Sequence, residues 1–154
     1  MQQYQMYING EFRDAKENII SINPCTEEKI AEFPKATQKD LDDAVKAART
    51  AFDGGSWPNL SLDERASYLV KIASLIREEA FSLSRIETQD TGKTTKQTTF
   101  IDIPVAAAVY DYFAQSAKEV KGETLNIPAP AFSYTLKDPI GVLGAIIPWN
   151  YPFL

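Results

Sequence analysis

One apolar segment constrains the fold of this chain more than any other. Residues 140–147 are almost all apolar, and they are followed by the sequence PWNYP at residues 148–152. A short, continuous apolar run is typical of a strand that is covered on both faces, as in a parallel α/β sheet. Such a strand needs a parallel neighbour reached through a crossover, and only two residues follow the PWNYP sequence. We therefore expect an α/β fold of which this chain forms the front part.

The segments before this run predict two β-hairpins. Residues 4–8 and 11–13 flank Asn9-Gly10, a dipeptide that is strongly associated with tight hairpin turns. Residues 19–22 and 29–33 form a second strand pair, with a turn at Asn23-Pro24 and an end at Pro34.

Three helices are expected next. Thr37 with Asp40, and Ser61 with Glu64, have the spacing of capping boxes at the starts of the first two helices. We expect the first helix to end at Gly54-Gly55 through a left-handed residue, and the second to run unbroken over residues 66–86. Pro104 fits the first turn of the third, whose apolar stripe ends at Gly122. A simple three-helix binding protein would not need the apolar run at 140–147.

Composition restricts the chemistry and the partners. The 154 residues carry a formal net charge of −5, so neither nucleic acid nor an anionic membrane surface is expected as a partner. The single cysteine, Cys25, cannot form an intrachain disulfide, and without histidine the chain has no Ser–His or Cys–His pair. No secretory or membrane-spanning segment is recognisable, so we expect a cytoplasmic protein.

An ordered set of motifs resembles the aldehyde dehydrogenase superfamily. The set comprises GVLGAIIPWNYPF at 141–153, INP at 22–24, the pattern DxAVxAARxAF at 42–52, DTGK at 90–93, and FSYT at 132–135 followed by DPIGV at 138–142. Each motif is short and weak alone, but they occur in the family's order along nearly the whole chain.

The resemblance implies a domain organisation and an activity. Residues 1–122 would belong to a Rossmann-type cofactor domain, residues 123–139 to an oligomerisation-arm strand, and residues 140–154 to the first inner strand of the cofactor-binding sheet. The implied reaction is NAD- or NADP-dependent oxidation of a small-molecule aldehyde to a carboxylic acid, through a thiohemiacetal on a cysteine. The cysteine and the glutamate base of that reaction would lie beyond residue 154, so we expect the chain itself to be inactive. The complete protein would be a homodimer or homotetramer.

Asn150 is the candidate catalytic residue. It follows the expected strand and lies between Pro148 and Pro152, which restrict the backbone on both sides. Ligands of open α/β sheets bind outside the carboxyl ends of the strands, and an Asn amide supplies N–H donors without a titrating charge. The resemblance implies that this amide stabilises the thiohemiacetal oxyanion. The structural alternative is a turn Asn satisfied by backbone groups.

Two further sites follow from the resemblance. Ile146, Ile147, Pro148 and Trp149 would border the adenosine and ribose of NAD or NADP, although the isoleucines and Trp149 could equally pack in a core. Ser21, Ile22 and Asp90 would hold a potassium or sodium ion, largely through backbone oxygens, and oxygen ligands suit such hard cations. The alternative is an ordinary hairpin-edge residue beside a helix-terminal Asp.

The segment at 132–137 and the chain as a whole each have two interpretations. The alternating sequence at 132–137 could extend toward a neighbouring subunit or pair within its own chain. The chain as a whole could also be a non-catalytic assembly or ligand-binding module on the same fold. Cys25 lies in a hairpin turn with no activating neighbour in sequence, and we interpret it as structural or incidental.

Overall fold

The computed structural model describes residues 2–154, whose N-terminal part forms two small sheets. Strands β2 (Met6–Ile8) and β3 (Glu11–Arg13) are antiparallel, and both turn residues between them have positive φ, 54° at Asn9 and 83° at Gly10. Strand β4 (Asn18–Ile22) pairs antiparallel with β5 (Lys29–Pro34), to which β1 (Gln2–Gln3) adds in parallel. Both predicted hairpins are confirmed.

The first two helices begin as predicted. Helices α1 (Gln38–Gly54) and α2 (Leu62–Glu78) each start with a complete capping box, Thr37 with Asp40 and Ser61 with Glu64. The end of α1 differs from expectation, because Gly55 has φ −74° and ψ 179°. The predicted left-handed termination at this glycine pair is therefore wrong, since the chain leaves the helix in an extended conformation.

The expected long second helix is two helices. Its path breaks at Glu79 (φ −95°, ψ 12°), which separates α2 from α3 (Ala80–Thr91). The third helical region consists of a single turn α4 (Thr95–Gln97), a π-helical turn (Thr98–Asp102) and α5 (Ile103–Ser116). Pro104 lies in the first turn of α5, as predicted, but that helix ends at Ser116 rather than near Gly122.

Helices α2 and α5 form the main packing interface. Their buried residues are largely alanines, which allow two helix backbones to approach closely. The central apolar cluster is Ile76, Ile103 and Ala107, and Ala80, Leu83 and Phe153 pack against it. Phe153 thus connects the last residues of the chain to this core. Within residues 2–154, no helix is both long enough and apolar enough to cross a bilayer.

A 3-10 turn (Ala117–Glu119) follows α5, and the chain then forms two short strands. Strand β6 (Thr124–Leu125) pairs antiparallel with β7 (Ser133–Tyr134). The strand predicted over 132–137 is therefore two residues long and pairs with β6 of its own chain, while its contact with a neighbouring subunit stays a prediction.

The expected buried strand at 140–147 is not observed. No strand is found at these positions, and Ile146 is 98% exposed. Nothing in residues 2–154 pairs with this segment as a neighbouring strand. A parallel strand becomes buried only when a ladder partner satisfies its backbone, so the apolar pattern alone does not bury the segment.

Gly92 fixes the end of α3 against the first sheet. It adopts a left-handed conformation with φ 75°, and its N–H donates to the carbonyl oxygen of Thr88 at 3.0 Å. A Cβ atom added here would lie 2.8 Å from Cγ of Pro24. Only glycine therefore satisfies both the backbone conformation and the contact.

We expect Gly92→Ala to lower the free energy of unfolding by about 2–3 kcal/mol, combining the left-handed strain with the clash against Pro24. Gly10→Ala is the matched control, because Gly10 also has positive φ (83°) but open space around it. It should cost only about 1 kcal/mol. Urea unfolding of both variants measures the difference, and equal losses would contradict a role for the Pro24 contact.

Candidate active site

The turn at residues 148–152 carries the candidate catalytic residue. Asn150 is exposed, and no hydrogen bond of its side-chain amide is found among residues 2–154. The alternative of an Asn satisfied by its own turn is thus not observed. Its donors are available to a group brought to this surface.

The four residues expected to border the cofactor are also on the surface. Ile146, Ile147, Pro148 and Trp149 are exposed, with Trp149 at 88%. Core packing, the alternative for the isoleucines and Trp149, is therefore not observed here. Ile147 lines an open groove of about 530 Å³ together with residues of α2 and α5 and the last residues of the chain.

Two contacts attach the Asn150 turn to the helices. Phe153 packs against the cluster of Ile76, Ile103 and Ala107. Next to Asn150, the ring of Tyr151 lies over the ammonium group of Lys93, with Nζ 3.7 Å from the ring centroid. The turn is therefore held from its C-terminal side while the Asn150 amide remains free.

Lys93 also bridges two buried carboxylates. Its Nζ lies 2.5 Å from Oδ2 of Asp102 and 3.4 Å from Oε1 of Glu87. Asp102 is fully buried at the end of the π-helical turn, and its Oδ1 has no hydrogen-bond partner among the described residues. We call Glu87, Lys93, Asp102 and Tyr151 the Lys93 network.

Burial and charge act in opposite directions within this network. Burial raises the pKa of Glu87, although the hydrogen bond and charge of Lys93 oppose the increase. Burial also penalises the charged form of Lys93, but the hydrogen bonds and charges of Asp102 and Glu87 outweigh it and raise the pKa of Lys93. Lys93 is therefore a firmly charged ammonium group at neutral pH.

Three chain elements bring the network together. Glu87 lies on α3, Lys93 follows the left-handed Gly92, and Asp102 ends the π-helical turn. The DTGK motif at residues 90–93 indicated a family resemblance and, through Asp90, a cation site, but it did not predict the Lys93 network. A signal was present at Asp102, a carboxylate between two isoleucines just before Pro104.

The structure brings together part of the expected cation site. The hydroxyl of Ser21 donates to Oδ1 of Asp90 at 2.6 Å, and Ile22 follows Ser21 at a register shift between β4 and β5. No cluster of three or more Asp, Glu, Cys or His residues suited to a metal is found in residues 2–154. A cation here would depend on backbone oxygens together with the single carboxylate.

The sequence profile of the aldehyde dehydrogenase family matches residues 12–154. Among curated relatives, aldehyde dehydrogenase 1 of Tanacetum cinerariifolium is 41% identical over 150 residues, which cover 96% of this chain and 30% of the relative. Aldehyde dehydrogenase family 2 member C4 of Arabidopsis thaliana is 42% identical over 151 residues, again covering 96% of this chain and 30% of the relative. The chain thus spans about 30% of the length of these relatives.

Solved structures of aldehyde dehydrogenases also match this chain over about 30% of their own length. An NAD+ complex of aldehyde dehydrogenase from Bacillus cereus superposes with a TM-score of 0.93 at 38% identity, covering 98% of this chain and 31% of that chain. Betaine aldehyde dehydrogenase from Staphylococcus aureus, in complex with NAD+, gives 0.90 at 37% identity, covering 98% and 30%. The α/β architecture is therefore that of the matching part of these enzymes, and the chain belongs to the aldehyde dehydrogenase family.

Proposed function

We propose that this chain is the N-terminal part of an NAD(P)-dependent aldehyde dehydrogenase and that Asn150 stabilises the oxyanion of its reaction. The observation that carries the proposal is the Asn150 amide, which is exposed and unpaired in a turn anchored through Tyr151 and Phe153. A fixed, neutral donor of this kind suits the negative oxygen that forms when a thiolate attacks an aldehyde carbonyl. An anchored donor needs little reorganisation as that charge develops.

The exposed residues before Asn150 fit the cofactor that this reaction requires. Ile146, Ile147, Pro148 and Trp149 offer an apolar surface on which the adenosine and ribose of NAD or NADP would rest. Bound there, the oxidised cofactor would accept the hydride. The role of these residues would be to bind and orient it next to the Asn150 turn. The NAD+ complex of the similar Bacillus cereus enzyme supports the choice of a nicotinamide cofactor.

The nucleophile of the proposed reaction is not among these residues. Cys25 is the only cysteine in the chain, and its exposed Sγ lies 3.7 Å from the carbonyl oxygen of Gly92 at the end of α3. The chain has no histidine that could activate a thiol. We therefore expect the 154-residue chain alone to give no aldehyde-dependent NADH formation, and measurable turnover would contradict this division of roles.

Two finer features belong to the same proposal. Ser21, Ile22 and Asp90 would hold potassium or sodium in the complete enzyme. The hydrogen bond between Ser21 and Asp90 supports this assignment, because it brings a carboxylate next to the Ser21 hydroxyl. The segment 123–139, with its short β6–β7 pair, would contribute to contacts between subunits of a homodimer or homotetramer.

Steady-state kinetics of Asn150→Ala in the complete enzyme test the central role directly. A loss of kcat with preserved KM values for aldehyde and cofactor would separate oxyanion stabilisation from substrate binding. Unchanged kinetics would favour a non-catalytic role for this segment on the same fold.

A further inference from the structure

The contact between Lys93 and Tyr151 connects a buried ion cluster to the residue next to Asn150. The ammonium Nζ lies 3.7 Å from the centroid of the Tyr151 ring, and the Lys93 side chain is only 14% exposed. A cation over an aromatic face is held more strongly when water is excluded from it. This contact is therefore a defined attachment point for the turn.

The three N–H donors of Lys93 explain how its ammonium group contacts two carboxylates and an aromatic ring at the same time. Hydrogen bonds to Asp102 and Glu87 use two of them and hold the ammonium group between α3 and the π-helical turn. The ring of Tyr151 takes the remaining side of the ammonium group. Phe153 is anchored separately in the apolar core, so Asn150 precedes two anchored residues.

We propose that Lys93 is a positioning residue for Asn150: held by Glu87 and Asp102, it binds the Tyr151 ring and fixes the turn that presents the Asn150 amide. The inference rests on the proposed function, because it assigns to Lys93 an effect exerted through the Asn150 side chain. Lys93 itself touches neither substrate nor cofactor in this proposal. A displacement of the amide by a fraction of a hydrogen-bond length would weaken its contact with the developing oxyanion.

The main test changes Tyr151 in the complete enzyme and leaves the ion pairs of Lys93 with Glu87 and Asp102 intact. Tyr151→Leu removes the aromatic face and should lower kcat by about tenfold, with the KM for the cofactor changed less than about twofold. Tyr151→Phe keeps the ring and should retain much more kcat than the leucine variant. Tyr7→Leu, at an exposed tyrosine of β2, is the matched control and should leave kcat unchanged.

Combination with Asn150→Ala distinguishes positioning from general packing. If Tyr151 acts through Asn150, adding Tyr151→Leu to Asn150→Ala should reduce kcat by less than about twofold further. A full additional tenfold loss would overturn the inference. A normal kcat for Asn150→Ala would overturn the proposed function and this inference together, whereas a slow Asn150→Ala with a normal Tyr151→Leu would overturn the inference alone.

NMR chemical shifts of the unsubstituted chain test the contact directly, so the result does not depend on whether a variant folds. In the 154-residue chain, the ring of Tyr151 should shift the ε-methylene proton resonances of Lys93 upfield, because they lie close to its face. Lys121, an exposed lysine paired with Glu119, is the internal reference. The absence of an upfield shift at Lys93 would show that the contact does not form, and would overturn the inference whatever the kinetics.

Discussion

Replacing Asn150 by alanine is expected to lower kcat for aldehyde oxidation by the complete enzyme about 10²–10³-fold. That is the usual cost of removing one donor from an oxyanion site, equivalent to about 3–4 kcal/mol of transition-state stabilisation. The loss is large because the charge that Asn150 would neutralise is small in the aldehyde and develops only after thiolate attack. For the same reason the KM for aldehyde should change little.

The measurement is steady-state kinetics with aldehyde and cofactor varied separately. Asn59→Ala, at an exposed asparagine between α1 and α2, is the matched control and should leave kcat unchanged. A decrease in kcat of less than about threefold for Asn150→Ala would remove the assigned role. A rise in KM with unchanged kcat would instead assign Asn150 to ground-state binding.

Local chemistry made the ends of several elements predictable from sequence. Both capping boxes place a hydroxyl and a carboxylate three residues apart, and a helix start satisfies its free N–H groups with such pairs. Asn9-Gly10 tolerates the two successive positive φ angles of its turn. These features depend on neighbouring residues only, so no knowledge of the tertiary structure was needed.

Features that depend on distant partners were harder to predict. The apolar pattern of residues 140–147 fits a buried strand, but residues 2–154 provide no neighbour with which it could pair, so the inner strand stays a prediction for the complete protein. The break at Glu79 was hidden because the apolar residues of the sequence keep their helical spacing across it, from Ala66 to Ile86.

The candidate site likewise contains one residue that the sequence identified and a network that it did not. Asn150 was identifiable because its flanking prolines and the family motif are contiguous in sequence. Glu87, Lys93 and Asp102 span 16 residues and meet only through a left-handed glycine and a π-helical turn, neither of which has a periodic pattern. A lysine and two carboxylates in a charged segment are otherwise typical of solvated surface.

Replacing Lys93 by methionine is expected to destabilise the chain by about 3–5 kcal/mol, since it leaves buried carboxylates without their cation. Asp102 is fully buried and already has one unpartnered oxygen, so no other described group compensates it. The control is Lys121→Met, whose ion pair with Glu119 is exposed, and which should change the free energy of unfolding by less than about 0.5 kcal/mol. Similar small losses for both variants in urea unfolding would show that the network contributes no more than a surface pair.

The difference in stability between the wild type and Lys93→Met should also depend on pH in a specific direction. Burial lowers the pKa of Lys93, but Asp102 and Glu87 outweigh it and raise that pKa above its ordinary value of 10.5. A raised lysine pKa stabilises the folded state fully below the unfolded value, and this contribution is lost as the pH rises through the folded value. The difference should therefore be constant near neutral pH and shrink above about pH 10.5.

The same difference in stability should also shrink in acid. Burial raises the pKa of Glu87, and proton uptake by this carboxylate removes the charge that is left uncompensated in Lys93→Met. Lys93→Arg, which keeps its charge in alkali, should show no loss from deprotonation at position 93. A difference that stays constant in both acid and alkali would contradict an electrostatic origin.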